Sequence, residues 1–445
     1  MRMSVMLFVF PLSFVHPAFA AHYAVDAMLG NDVTGNGSMA APWRTITRAH
    51  QAPLAPGDIV RVAAGVYDAA LGESFPIVLK PGVQVTGAAP ERTVVRGSGV
   101  ETLFTVTQAG TTWFGLNEMT LEHADVGAAI TYGNSGDGLL VLERLVVQNN
   151  RIGVRASDTV GAYAQLVLLN CLIRGNSEVG VDALTTFQGF NGVWVDAWGC
   201  TIVDNAKGIR GGAVWTFPKP VLTLRHSIVE QNTDDSFLAG MSVVANAVSA
   251  SVIAESSLIG VQGNVAGPAG FLAFSAHAPH LASNAIARDL SAPTGSWPPT
   301  PLPPSWWGAS FAPTFKQVAD IDLRQRADAF VDAGCDERES PFVKVWGQPS
   351  VGGAVTLIAI GPPNGAIALY ASAATSAIAT PYGTWLLAPP FVWLGALPQD
   401  GLGHFVAPVS LPALPPLVGV PLYMQGHTTT GAPALTPLES LRFLP

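Results

Sequence analysis

Three charged residues occupy equivalent places in an internal repeat. Arg155, Asp182 and Arg210 each stand two residues past a repeated glycine. Stacked on one face, such a column would offer two guanidinium groups to an anion. An arginine there could polarise a sugar carboxylate and take up the proton lost in β-elimination. The same column also reads as a ladder in which unlike charges steady one another. The adjacent acids Asp234 and Asp235 offer oxygen ligands for calcium, or else shape a turn. Trp194, Trp198 and Trp215 supply aromatic faces on which sugar rings would stack, or which core packing would absorb. Hydrolysing a glycosidic bond needs two carboxylates roughly 5–9 Å apart. The aligned repeat shows no acid at one position on two consecutive turns. No catalytic set is complete, which favours a protein that is not an enzyme.

The element that must carry these residues shows in the spacing. One phrase recurs four times, beginning at Leu145, Cys171, Cys200 and Ser227 and ending at Asn150, Asn176, Asn205 and Asn232. The asparagines are 26, 29 and 27 residues apart, and Gly153, Gly180 and Gly208 follow the first three. In a parallel β-helix each turn gives short strands that pair with the turns above and below, about 4.8 Å away. Asn suits the corner, because it tolerates left-handed backbone and its amide can bond the same amide one turn on. The Leu–Cys–Cys–Ser column then faces inward, with its thiols acting as small hydrophobes. A Cys171–Cys200 bridge stays open, since the turn spacing is within disulfide reach.

The rest of the 445-residue chain bounds the reading. Met1-Arg2, an apolar run from Met3 to Phe14 and Ala18-Phe19-Ala20 predict a signal peptide over residues 1–20. Export to the periplasm, cell surface or medium follows, and no later segment predicts a membrane span. Charged residues make up 12% of the chain, with 46 Gly and 35 Pro, which favours an all-β fold. A net charge of −9 argues against nucleic acid as a partner. The third cysteine, Cys335, leaves an odd, sparse set that predicts neither a disulfide scaffold nor a zinc site.

The segment after the signal contains Gly30-Asn31-Asp32, Gly35-Asn36-Gly37, Trp43-Arg44-Thr45-Ile46, Gly57-Asp58-Ile59-Val60 and Gly65-Val66-Tyr67. It resembles the N-terminal cap and first turns of pectin-lyase-like secreted right-handed β-helix proteins. Asp320 to Arg324 and Val331 to Cys335 resemble the closing turn of the same superfamily. The resemblance implies a short Thr-Ile helix plugging one end, and a side-chain site on the outer face of one sheet. It also implies activity on acidic polysaccharides. Against the enzymes of that superfamily the motifs fall short. Asn232-Thr233-Asp234-Asp235 has no downstream Gly-His-Gly or Arg-Ile-Lys, and Val193-Trp194-Val195-Asp196 is followed by Ala197 where pectate lyases place His. The loop with Asp26, Asn31, Asp32 and Asn36 is a further calcium candidate, or simply shapes the cap.

The sequence therefore predicts a right-handed parallel β-helix over 21–337, then a small β-sandwich over 338–445. Within the helix, Pro298 to Trp307 reads as a loop. The C-terminal part carries so little charge that it is expected to pack on the open end of the helix or on a neighbour. Three functions remain in play. The first is an exported protein binding polysaccharide or envelope surfaces, the second a lyase or hydrolase of acidic glycans, and the third a structural surface or adhesion protein. No cofactor is expected, calcium being the one exception, and nothing in the sequence sets an oligomeric state.

Overall fold

A computed structural model describes residues 21–106, 112–132, 138–158, 164–186, 192–213, 219–249, 251–259, 264–269, 341–346, 349–362, 364–381, 383–399, 404–430, 434–436 and 438–443. The signal segment, Trp215, the Pro-rich run 298–307, the closing phrase 320–334 and Cys335 lie outside the described residues.

Three parallel sheets wrap around one core. Sheet 1 stacks nine strands, His22–Val25, Ile59–Val62, Gln84–Thr86, Thr112–Asn117, Gly138–Glu143, Ala164–Leu169, Val193–Trp198, Val221–Arg225 and Ser242–Ser249. Sheet 2 stacks Gly65–Tyr67, Thr93–Arg96, Thr120–Glu122, Val146–Gln148, Leu172–Arg174, Thr201–Val203, Ile228–Val229 and Val252–Ile253. Sheet 3 stacks Ile77–Val78, Thr102–Val106, Val126–Tyr132, Ile152–Asp158, Val179–Thr185 and Ile209–Ala213. The chain visits the sheets in the order 1, 2, 3 on every full turn, so each strand pairs only with the turn before and the turn after. This is the parallel β-helix that the repeat predicts. Inward residues such as Leu140, Leu142, Leu166, Leu168, Val195 and Ala197 are fully buried, and removing their apolar surface from water drives the stacking.

Two corners of each of these turns are built from one left-handed residue apiece. Glu118, Arg144, Asn170, Gly199 and His226 take φ of 46–57° between sheets 1 and 2. His123, Asn149, Gly175, Asp204 and Gln231 take φ of 55–61° between sheets 2 and 3. The left-handed position is thus the residue before each ladder asparagine, which corrects the expectation that the ladder Asn itself bends the chain. The ladder asparagines are freed for hydrogen bonding. Nδ2 of Asn150, Asn176 and Asn205 donates to Oδ1 of the next Asn at 3.2, 2.8 and 2.8 Å. Each of those Oδ1 atoms also accepts the previous ladder residue's backbone N–H. The column ends on Asp235, whose Oδ1 accepts Asn232 Nδ2 at 2.6 Å and Asn232 N at 3.1 Å.

The repeated glycines follow from that column. A Cβ at Gly153 would lie 2.5 Å from Gly180 O and 3.0 Å from Asn176 Nδ2. Gly180 and Gly208 face the same conflict with the next asparagine's amide. The inward Leu145, Cys171, Cys200, Ser227 column is fully buried as expected. The two are not joined in a disulfide, and Cys171 Sγ lies 3.3 Å from Leu142 O while Cys200 Sγ lies 3.4 Å from Trp198 O.

Helix α1 (Ile46–Gln51) buries Ile46 and Ala49 in the core together with Trp43. Asp32 accepts the N–H groups of Arg44 and Thr45, and Glu73 accepts those of Ile46 and Thr47. Asp26, Asn31 and Asn36 each accept backbone N–H groups two or three residues on, so this loop is held by its own side chains.

The C-terminal residues form antiparallel sheets. Phe342–Trp346, Ala354–Ile360 and His404–Ser410 make a three-stranded sheet. A four-stranded sheet runs in the order Val392–Pro398, Ala366–Ser372, Pro421–Thr428, Glu439–Arg442. Val343, Val345, Val355 and Leu357 share one apolar cluster with Ile367, Leu369, Met424 and Leu441, so the two sheets face each other as a sandwich. Glu439 accepts Arg92 Nη2 at 2.8 Å and Val345 N at 3.1 Å. Through this ion pair the sandwich touches an early turn of the helix.

Candidate functional site

The pairing register puts Arg155, Asp182 and Arg210 directly opposite one another on sheet 3. Arg155 Nε lies 3.1 Å from Asp182 Oδ2, and Arg210 Nε lies 2.8 Å from Asp182 Oδ1. Arg210 Nη1 reaches Glu178 Oε1 at 2.7 Å, Glu178 also accepts from Arg151, and Arg151 bonds Asp125. The expected three-residue column is thus part of a six-member chain, Asp125–Arg151–Glu178–Arg210–Asp182–Arg155. Hydrogen bonds from Arg151 hold the Asp125 carboxyl below its usual range, and bonds from Arg210, then Arg151, do the same for Glu178. The paired carboxylates push the Arg151 and Arg210 guanidiniums up, so both stay charged. A guanidinium held in this way can hydrogen-bond an anion, but it is poorly suited to accept a proton.

The calcium candidates are similarly occupied. Asp235 ends the asparagine ladder. Asp234 is ion-paired with Lys207, its Oδ1 accepts Ser236 N and Oγ, and its carboxyl is lowered to about 2, with the Lys207 bond the main cause. Among the described residues no group of three His, Cys, Asp or Glu side chains is placed to share a metal ion.

Beside the charged chain, a groove of about 520 Å³ runs along the corner between sheets 2 and 3. Four successive turns contribute to it, with Arg96 and Ser98, then His123, then Asn149 and Arg151, then Ser177. Its described lining holds three basic side chains and no acid. Glu122 sits behind, 2.8 Å from Arg96 Nη2 and 3.6 Å from His123 Nδ1. Roughly half of each of these three basic side chains faces solvent. The sequence reading missed this groove. The one trace of it in the sequence is that Arg151 directly follows a ladder asparagine.

The third place is the outer face of sheet 1. Trp194, Asp196 and Trp198 alternate on strand Val193–Trp198 and point outward, away from the buried Val193, Val195 and Ala197. Trp194 is 37% exposed, whereas Trp198 is buried against Leu169 and Val167, with the Arg225 guanidinium 4.7 Å from its ring centroid. Asp196 accepts Gln165 Nε2 at 2.7 Å, and burial pushes its carboxyl up, opposed by bonds from Gln165 and Thr223. Of the three candidate tryptophans, then, one is open to solvent, one is packed away and Trp215 lies outside the described residues.

These features define a parallel β-helix protein with a polar, basic groove along one corner and an ion-paired face next to it. Residues 28–264, more than half of the chain, match a family described as a protein of unknown function, DUF1565, and the chain belongs to that family. No curated protein matches it.

Proposed function

We propose that this is an exported β-helix protein that holds an acidic polysaccharide in the corner groove without turning it over. The observation that carries the reading is the groove lining, in which Arg96, His123 and Arg151 approach from different turns with no acid among them. A linear polymer laid along the helix axis would meet these groups at about the 4.8 Å spacing of the turns. Guanidinium forks suit carboxylate or sulfate groups. Each arginine is steadied by a carboxylate behind it, which fixes the donors before a ligand arrives. Export rests on the N-terminal apolar run and its Ala-x-Ala site.

Retention on gels containing a polyuronate, a sulfated glycan or a neutral glucan tests this, with product release assayed in the same samples, with and without calcium. Retention by the acidic polymers alone, weakened by salt and by Arg151→Ala, is the expected result. Equal retention by the neutral glucan, or none, would exclude the reading.

Asp196 supports a second reading, a lyase or hydrolase. A carboxyl whose proton is held more tightly by burial is better suited to protonate a leaving oxygen than an exposed one, and Trp194 beside it offers a stacking face. Release of unsaturated or reducing sugar that disappears in Asp196→Asn would establish this reading over the first.

A further inference from the structure

On the reading that the corner groove holds an acidic polysaccharide, we infer that Asn149 is the residue that recognises sugar hydroxyls there. Gly175, on the next turn, is the residue that keeps its amide in place. The groove then selects a sugar polymer and not any chain of negative charges.

Three amides follow one another where the chain leaves sheet 2 for the corner. Gln148 is occupied on sheet 2, where its Nε2 donates to Glu122 at 2.9 Å and its Oε1 accepts Arg174 Nη2 at 2.9 Å. Asn150 is occupied in the ladder, where it donates to Leu121 O and Asn176 Oδ1 and accepts Ala124 N. Asn149 lies between them, lines the groove and is exposed. Among the described residues its side-chain amide has no hydrogen-bond partner.

The neighbouring turn makes room for that amide. Gly175 also lines the groove, and a Cβ there would stand 2.9 Å from Asn149 Oδ1. The Asn149 amide therefore lies where a side chain on the next turn would be. Of the five left-handed residues in this row, Gly175 alone has no side chain. A left-handed backbone accounts for Asn or Gly at either position. It does not account for an amide set against the one bare position with its donors and acceptor unused.

The surroundings of the amide narrow what it holds. His123 stands at the same position one turn before, and Arg151 two residues on. The basic side chains answer carboxylates and read charge alone. A neutral amide both gives and takes hydrogen bonds, so it suits a group that does the same. A hydroxyl does both, whereas a carboxylate only accepts. A uronate carries both kinds of group on one ring. A cation and an amide on adjacent turns, about 4.8 Å apart, can therefore engage it together.

The test compares a uronate tetramer with an acrylate oligomer of equal charge, whose carboxylates stand on a hydrocarbon chain. Titrated into the purified chain, the uronate should bind about tenfold more tightly. Asn149→Gly removes the amide, and Gly175→Asn displaces it. Each substitution brings in a residue that this row already carries at its left-handed position, so the fold should survive both. Each should weaken uronate binding about five- to tenfold, the size of one net hydrogen bond, and leave acrylate binding unchanged. Arg151→Ala should weaken both. Equal affinity for the two probes, variants that keep the uronate preference, or a loss shared equally by both probes would overturn this inference and leave the groove reading standing. Binding of neither probe would overturn the two together.

Discussion

Asp196 and the Asp125–Glu178 pair titrate in opposite senses, and stability should follow. Burial raises the Asp196 carboxyl, so the folded chain holds that proton more tightly than the unfolded one. Its contribution is full below the ordinary carboxylate value of about 4 and is lost as pH rises through the raised value. Asp196→Asn should therefore raise the thermal midpoint near neutral pH and flatten its pH dependence. An unchanged profile would show that the carboxylate is solvated. Asp125 and Glu178 are held low by arginine, so their contribution is full above about pH 4 and fades as pH falls below it. Both side chains are about one-third exposed, so solvent screening should keep the effect small and salt should shrink it further. The ladder amides matter more. Asn205→Ala removes the acceptor of Asn176 N and Nδ2 in a buried column, at an expected cost of about 2–4 kcal/mol in chemical unfolding.

At the scale of the turn, two demands meet at four successive corners between sheets 2 and 3, from Asn149–Asn150 to Gln231–Asn232. A left-handed residue bends the chain, and the asparagine after it ties one turn to the next. The glycine column follows from that amide, since the next turn leaves no room for a methyl group. Gly180→Ala would place Cβ 2.8 Å from Gly208 O and 3.0 Å from Asn205 Nδ2. Such overpacking should cost about 1–3 kcal/mol, and a loss well below that range in the unfolding midpoint would mean that the turns slide apart easily. This level of the structure was readable in the sequence, because the Asn–Gly spacing and the inward Leu145–Cys171–Cys200–Ser227 column repeat as one phrase. The corner geometry was not. Five different residue types, His123, Asn149, Gly175, Asp204 and Gln231, share one left-handed position, so no residue type betrays it.

Across the whole molecule, the sequence showed an apolar repeat followed by a nearly uncharged segment, and hence a β-helix with a second β unit. The charged column at Arg155, Asp182 and Arg210 was legible because all three share one offset from a repeated glycine. The groove escaped notice because Arg96, His123 and Arg151 sit at different offsets and converge only when the turns stack. Asp196 was visible only inside a phrase set aside because Ala197 follows it, since its chemistry comes from burial and from Gln165 and Thr223 rather than from a motif. Among the described residues, Arg92 and Glu439 form an ion pair between the sandwich and the helix.

The central claim, that the corner groove binds an acidic chain across several turns, is tested most directly by calorimetric titration with uronate oligomers of increasing length. Affinity should rise with length and level off once the oligomer spans the four contributing turns, about 14 Å at the strand spacing. It should fall about tenfold or more in Arg151→Ala, as expected for loss of a charge-assisted contact. Affinity independent of length, or unchanged in Arg151→Ala, would contradict the account.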